Sequence, residues 1–192
     1  MEEIIQLDKE LFLYLNTLGT TTWDGFWHFI SGKYNWVPFY ILLAFLIYRK
    51  LGLNRTLLIL VLTFIMIVLT DQVTNVFKNY FLRPRPCFTE DLDGLMRKVD
   101  CIGRGRHGFT SAHASNHFGL ALFIGLILRK QYKYLFTFLI LWAAFISYSR
   151  IYLGVHFPLD VICGILLGIS VAAVNYKIYK WACARYSVFQ LK

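Results

Sequence analysis

Charge is what this sequence has least of. Asp, Glu, Lys and Arg make up 16% of its 192 residues, against 57% for the hydrophobic set. A soluble domain of this length could not hide so much apolar surface. The composition excludes a water-soluble globular domain and points to an integral membrane protein. Cysteine is also sparse: four are too few for a disulfide framework. Cys163 lies in an apolar run and Cys183 in a basic tail. Cys87 and Cys101 share one loop and can pair only if that loop faces an oxidising compartment. An internal repeat and a low-complexity tract are both missing. The N-terminal MEEIIQLDKELF is acidic and amphipathic, with no basic region before an apolar core, so a cleavable signal peptide is not expected.

What charge there is carries a net +9. That balance raises nucleic acid as a partner, but the basic residues do not gather on one soluble face. They sit in short segments between oily runs, as membrane topology requires, and in one polar loop. A nucleic-acid partner is therefore not expected.

A membrane-spanning helix needs ~20 mostly apolar residues. Five stretches qualify: Tyr34–Tyr48, Thr56–Phe77 with only Asp71 inside it, Ala112–Leu128, Tyr134–Ser149 and Val161–Tyr176. Between them, Arg49, Lys50 and Arg55 fill one short connection, and Arg129, Lys130 and Lys133 another. Lys177, Lys180, Arg185 and Lys192 mark the tail. Alternating spans put all three groups on one side, which the positive-inside rule makes cytoplasmic. The first 33 residues are amphipathic (Ile4, Ile5, Leu7, Leu11, Phe12, Leu15) and then aromatic around Trp23–Ile30. They read as interfacial helices on the outer face, with a sixth, weakly hydrophobic span as the alternative. The expected fold is an all-α integral membrane protein, a bundle of five or six transmembrane helices with N-terminal amphipathic interfacial helices. It forms one membrane-embedded domain over 1–192: N-terminal helices within 1–33, a core 34–180 and an outer loop 78–111. The expected location is the bacterial inner membrane, multi-pass, with the polar loop in the periplasm.

Charged residues in spans are costly and functional by default. Asp71, Asn75 and Lys78 recur on one helix face, followed by Arg83 and Arg85 in FLRPRP, where the prolines force an extended exit. GFTSAHASNH opens the third span with Ser111, His113 and His117. Arg150, His156 and Asp160 bracket the last turn. All three clusters emerge at one face. Several cations that cannot neutralise one another suit a multiply charged anion, and phosphate fits. The helix start at Ser111–His113 adds backbone N–H groups and a positive dipole end. Two histidines on separate segments can divide nucleophile and acid duties, with Asp160 orienting His156. The plainer readings are helix packing for Asp71 and His117, and a solvated loop for Arg104 and Arg106. His113 and His117 have i, i+4 spacing, but position 114 is alanine, not the glutamate of a zinc protease helix. Ser111 lacks the G-x-S-x-G elbow of a serine nucleophile. The aromatic residues read as lipid-facing or interfacial filler.

The three clusters resemble the type-2 phosphatidic acid phosphatase superfamily, membrane lipid phosphatases that share a helical core with vanadium haloperoxidases. Its K-x6-R-P motif is matched by Lys78 to Pro86, and its S-R-x5-H-x3-D motif by Ser149 to Asp160. Its P-S-G-H motif is matched by Thr110–His113, with Thr110 and Ala112 in place of proline and glycine. The resemblance implies that His156 attacks phosphorus, that Asp160 orients it and that His113 serves as acid and then base. It implies that Lys78, Arg85, Ser111, Ala112 and Arg150 hold the phosphate, and that no metal or cofactor is needed. The implied partners are a phosphorylated membrane lipid and the bilayer; oligomeric state is not implied. Undecaprenyl diphosphate stands first among the substrates, then a lipid A phosphate, then phosphatidate or phosphatidylglycerol phosphate. A non-catalytic lipid binder on the same scaffold is the reading from another class. A soluble haloperoxidase relative is disfavoured by hydropathy and length.

Overall fold

The computed structural model describes residues 2–103 and 105–189; Arg104 and Lys192 lie outside the described residues. Among the described residues, most lie in six α-helices: α1 Glu2–Thr17, α2 Thr21–Ser31, α3 Val37–Phe81, α4 Ala112–Leu128, α5 Leu135–Tyr152 and α6 Pro158–Arg185. Three stretches of the described residues are long and apolar enough to cross a membrane, Lys33–Phe81, Leu135–Tyr152 and Pro158–Arg185. The first of these supplies two spans, because α3 bends at Gly52, whose φ of 75° lies in the left-handed region glycine tolerates. Its arms, 37–51 and 53–81, replace the loop expected around Arg49–Arg55 with a corner of one residue. With α4, five segments cross the bilayer. Among the described residues the sixth span is not formed: α1 carries Glu2, Glu3, Asp8, Lys9 and Glu10 in little more than two turns, and α2 has only 11 residues.

Both short helices lie at one end of the bundle. On α1 the inward stripe is Asp8, Phe12 and Asn16, at i, i+4 and i+8. Ile4, Leu7, Leu11 and Tyr14 point outward instead. The apolar face thus turns away from the protein, as an interfacial helix resting in lipid requires. Asn16 ties α1 to the end of α5, donating to the carbonyl of Tyr152 at 2.9 Å and accepting from the Arg97 N–H at 2.7 Å. The basic groups meet at the opposite end. The Lys50 ammonium lies 5.8 Å over the Tyr132 ring, and Arg55 Nε donates to the Phe189 carbonyl at 2.5 Å.

The centre is the crossing of α4 and α6. Gly164 and Gly168 make a small-xxx-small pattern on α6 that lets two backbones touch. A methyl placed on Gly168 would lie 2.1 Å from the Ser115 carbonyl oxygen, and on Gly164 2.5 Å from that of Ser111. Polar bonds pin α3 to this pair. Asn175 on α6 donates to the Leu62 carbonyl at 2.8 Å, and Asn116 on α4 donates to Asp71 at 2.9 Å and also bonds Thr70. Asp71 therefore serves helix packing, the plainer of its two readings. The aromatic residues are only partly lipid-facing filler. Tyr80 is 78% exposed, but Trp142 is buried against Phe39, Trp36 and Tyr40, with ring centroids 4.9, 5.5 and 6.0 Å away.

A single added methyl tests the crossing. Gly168→Ala is expected to lower the thermal midpoint in detergent by roughly 5 °C or more, because backbone cannot give way as a side chain can. Gly25→Ala, with open space around the new methyl, is expected to leave the midpoint unchanged or slightly higher.

Candidate active site

Three segments converge where α3 and α5 end and α4 and α6 begin. The first is the exit from α3. Leu82 takes the left-handed conformation (φ 49°) and ends the helix, and Pro84 and Pro86 hold the next few residues extended. This stretch pairs with 106–108: Arg85 N–H donates to the Arg106 carbonyl and Gly108 N–H to the Arg83 carbonyl, both at 2.9 Å. Gly108 is laid against the site so closely that a methyl there would stand 2.9 Å from Arg85 Cγ and 3.3 Å from Asp160 Oδ2. Arg106 itself is exposed, the solvated reading. Cys87 and Cys101 form a disulfide across the loop.

The second segment is the start of α4. Ser111 is its N-cap, its hydroxyl accepting from the Ala114 N–H at 3.5 Å. Its own N–H donates to the Asp160 carbonyl at 2.9 Å, and the residue is fully buried. Ser111 therefore holds helix ends together, and its N–H is not one of the free donors the sequence pattern suggests. The half-buried Ala112 and His113 begin the first turn, where N–H groups have no partner within the helix. Thr110, in place of the family proline, is buried with its hydroxyl 3.4 Å from that of Thr74 on α3. His113 stacks on His117, ring centroids 6.0 Å apart. His117 Nδ1 faces the His113 carbonyl at 2.7 Å, so that nitrogen carries the proton, and Nε2 is left to accept from the Tyr40 hydroxyl at 3.2 Å. His117 thus supports His113, its packing reading.

The third segment is the turn from α5 to α6. The N–H groups of Val155 and His156 both donate to the Arg150 carbonyl, at 3.1 and 3.2 Å, which closes the turn. Pro158 opens α6, and Asp160 reaches back from its third position to the Phe157 N–H at 3.0 Å. His156 and Asp160 are both buried. The His156 tautomer follows from its neighbours. Arg85 Nη1 lies 3.0 Å from Nε2, and a guanidinium can only donate. Nε2 is therefore the acceptor and Nδ1 carries the proton, facing Asp160 Oδ2 at 3.5 Å. Arg85 also donates to the carbonyls of Gly105 at 2.7 Å and Val155 at 3.0 Å. Lys78 is half-buried near these groups, and its ammonium makes no hydrogen bond or ion pair to another described residue. Arg150 is buried and donates to the Ser31 hydroxyl at the end of α2. A cavity of about 510 Å³ runs between the two arms of α3 and α4, from Asp71 and His117 at its polar end to Ile47 and Ile59.

Arg83 departs from the sequence expectation. Its Nη1 donates to Asp160 Oδ1 at 2.7 Å and its Nη2 to Asp8 Oδ2 at 2.5 Å. It is neutralised between two carboxylates rather than held ready for an anion. The pairing of Arg83 with the site is foreshadowed by spacing: two residues apart in an extended segment, Arg83 and Arg85 share a face. Asp8 has a fainter mark, a polar residue in the same i, i+4, i+8 stripe as Phe12 and Asn16.

Comparison with known proteins points one way. Residues 55–183 match the sequence model of the PAP2 superfamily. A lipid A 4'-phosphatase of Porphyromonas gingivalis is 35% identical over 189 residues, 97% of this chain and 78% of that protein. One of Bacteroides thetaiotaomicron is 34% identical over 170 residues, 88% and 75% of the two. An undecaprenyl-diphosphatase of Sulfolobus acidocaldarius is 28% identical over 194 residues, 92% and 81%. Among solved structures, Aquifex aeolicus LpxE is similar with a TM-score of 0.67 and 28% identity, over 89% of this chain and 95% of that one.

The disulfide closes a loop of 14 residues that begins beside Arg85. Replacing both Cys87 and Cys101 by serine is expected to cost about 3 kcal/mol of stability. Chemical denaturation in detergent measures it, and dithiothreitol should shift the parent protein but not the double variant.

Proposed function

The chain belongs to the PAP2 superfamily and is a multi-pass membrane lipid phosphatase; on that premise we propose that it removes the 4'-phosphate of lipid A. The observation that carries this substrate is the likeness to two lipid A 4'-phosphatases, at 35% and 34% identity along nearly the whole chain. Undecaprenyl diphosphate, first in the reading from sequence, becomes the second choice. It keeps the support of the undecaprenyl-diphosphatase relative, at 28% identity.

In the proposed reaction His156 Nε2 attacks phosphorus. An N–P bond forms as the P–O bond to the lipid breaks, and His113 gives its proton to the leaving oxygen. His113 then takes a proton from water, whose oxygen attacks the phosphohistidine; the N–P bond breaks and inorganic phosphate leaves. An arriving phosphoryl oxygen takes over the Arg85 donor that here rests on the Nε2 lone pair. Lys78, Arg85, Arg150 and the Ala112 N–H stabilise charge on the phosphoryl oxygens, the largest expected contribution to catalysis. Ser111 acts by holding the start of α4 in place. The cavity beside His117 has room and polarity for part of the lipid.

The site is proposed to face the periplasm from the inner membrane. Two features support this side. The basic groups lie at the other end of the bundle, and the loop on the site's own face carries the Cys87–Cys101 disulfide.

Purified protein in detergent, offered lipid A, undecaprenyl diphosphate, phosphatidate and phosphatidylglycerol phosphate in turn, tests the substrate. Lipid A is expected to lead in phosphate release by at least ~100-fold, about 2.7 kcal/mol in barrier. A comparable lead for another lipid would overturn the proposal. His156→Ala is expected to cut release at least ~1,000-fold and to abolish acid-labile labelling of the protein by phosphate. In intact cells, thiol labelling from outside after mild reduction should reach Cys87 and Cys101 but not Cys183; the reverse inverts the orientation.

A further inference from the structure

The ion pairs that hold the Asp160 carboxylate begin on α1, over 150 residues away in sequence. Asp8 is 4% exposed on a helix whose other acidic residues, Glu2, Glu3 and Glu10, are exposed. Its Oδ1 accepts from the Leu159 N–H at 2.9 Å, at the start of α6, and its Oδ2 takes Arg83 Nη2 at 2.5 Å. The other prong of Arg83 goes to Asp160 Oδ1 at 2.7 Å. The guanidinium lies 4.5 Å over the Phe157 ring, which Phe12 meets edge-on at 5.3 Å. Arg83 is thus fixed from three directions.

The two oxygens of Asp160 have separate tasks. Oδ1 takes Arg83, while Oδ2 takes the Phe157 N–H and faces His156 Nδ1. A guanidinium left with one carboxylate prefers to engage both of its oxygens, fork to fork. Asp8 prevents that by occupying the second prong. Without it, Arg83 is free to rotate onto both Asp160 oxygens and draw Oδ2 away from the imidazole. The geometry points to Asp8 as a positioning residue of the phosphatase site: by holding Arg83 to a single prong on Asp160, it keeps Oδ2 available to orient His156. This rests on His156 being the nucleophile, as proposed above. An interfacial helix is thereby part of the apparatus that aims the nucleophile, although none of its residues touches the reacting atoms.

The test uses the full chain in detergent, with single-turnover and steady-state hydrolysis of lipid A. Asp8→Asn keeps the size and an acceptor for Leu159 but turns a donor toward Arg83. It is expected to lower kcat about 10- to 100-fold with KM within ~2-fold. Placed in an Asp160→Asn background, the same change is expected to alter the residual rate by less than ~2-fold, because residues acting in one chain are not additive. Arg83→Lys keeps the charge but gives up the two-pronged bridge. It should repeat both results, and it carries the test if Asp8→Asn fails to fold. Asn16→Ala loosens the docking of α1 without touching the polar chain and should leave kcat within ~2-fold. The idea is overturned if Asp8→Asn turns over at the parent rate, if its loss is equal in both backgrounds, or if Asn16→Ala is as slow. His156→Ala separates the two proposals. If it still releases phosphate, the nucleophile assignment fails; if it is inactive while Asp8→Asn is unimpaired, only the positioning role fails.

Discussion

The contact between α4 and α6 is the constraint on which the site's end of the bundle depends. At Gly164 and Gly168 the helices meet backbone to backbone, and one turn above, the Ser111 N–H donates to the Asp160 carbonyl. That bond joins the first turn of one helix to the first turn of the other. His113 and His156 stand two residues beyond Ser111 and four residues before Asp160, so their separation is inherited from this crossing. In lipid, apolar side chains gain little by leaving the solvent, so close packing and interhelical hydrogen bonds carry the association. The small residues of α6 are therefore part of how the site is measured out, though they lie below it.

The electrostatics follow from the same compactness. Two cations, Arg83 and Arg85, leave one extended segment on the same face and meet different fates. Arg83 is matched against Asp8 and Asp160, and its charge is spent on structure. Arg85 spreads its donors over two carbonyls and the Nε2 lone pair of His156. The two cations thus stand side by side with different acceptors, one held between carboxylates and the other against the imidazole of His156.

Much of this was legible in the sequence, and the reasons it stopped are physical. Five apolar stretches read out the bundle because lipid demands a minimum length, and the apolar stretch Ala112–Leu128 coincides with α4. The spacing of Lys78, Arg85, His113, Arg150, His156 and Asp160 pointed to a phosphate-binding cluster, since several cations and two histidines on separate segments suit that anion. The corner at Gly52 was hidden, because a helix bend of one residue and a short loop share the same composition. The double duty of Ser111 was hidden too: a motif names a residue but not which of its donors is already engaged. Asp8 was the hardest. Its partner lies 75 positions away at Arg83, and on a helix with glutamates at 2, 3 and 10, one inward aspartate looks like another solvated charge.

The Gly52 bend also bears on how the protein is made. The two arms of α3 share a corner of a single residue, with Arg49, Lys50 and Arg55 within one turn of it. A tip carrying three cations is costly to move across lipid, so the two arms suit entry as a hairpin. The first corner thus bears on how the later spans are laid down, before His113, His117 and His156 have been synthesised.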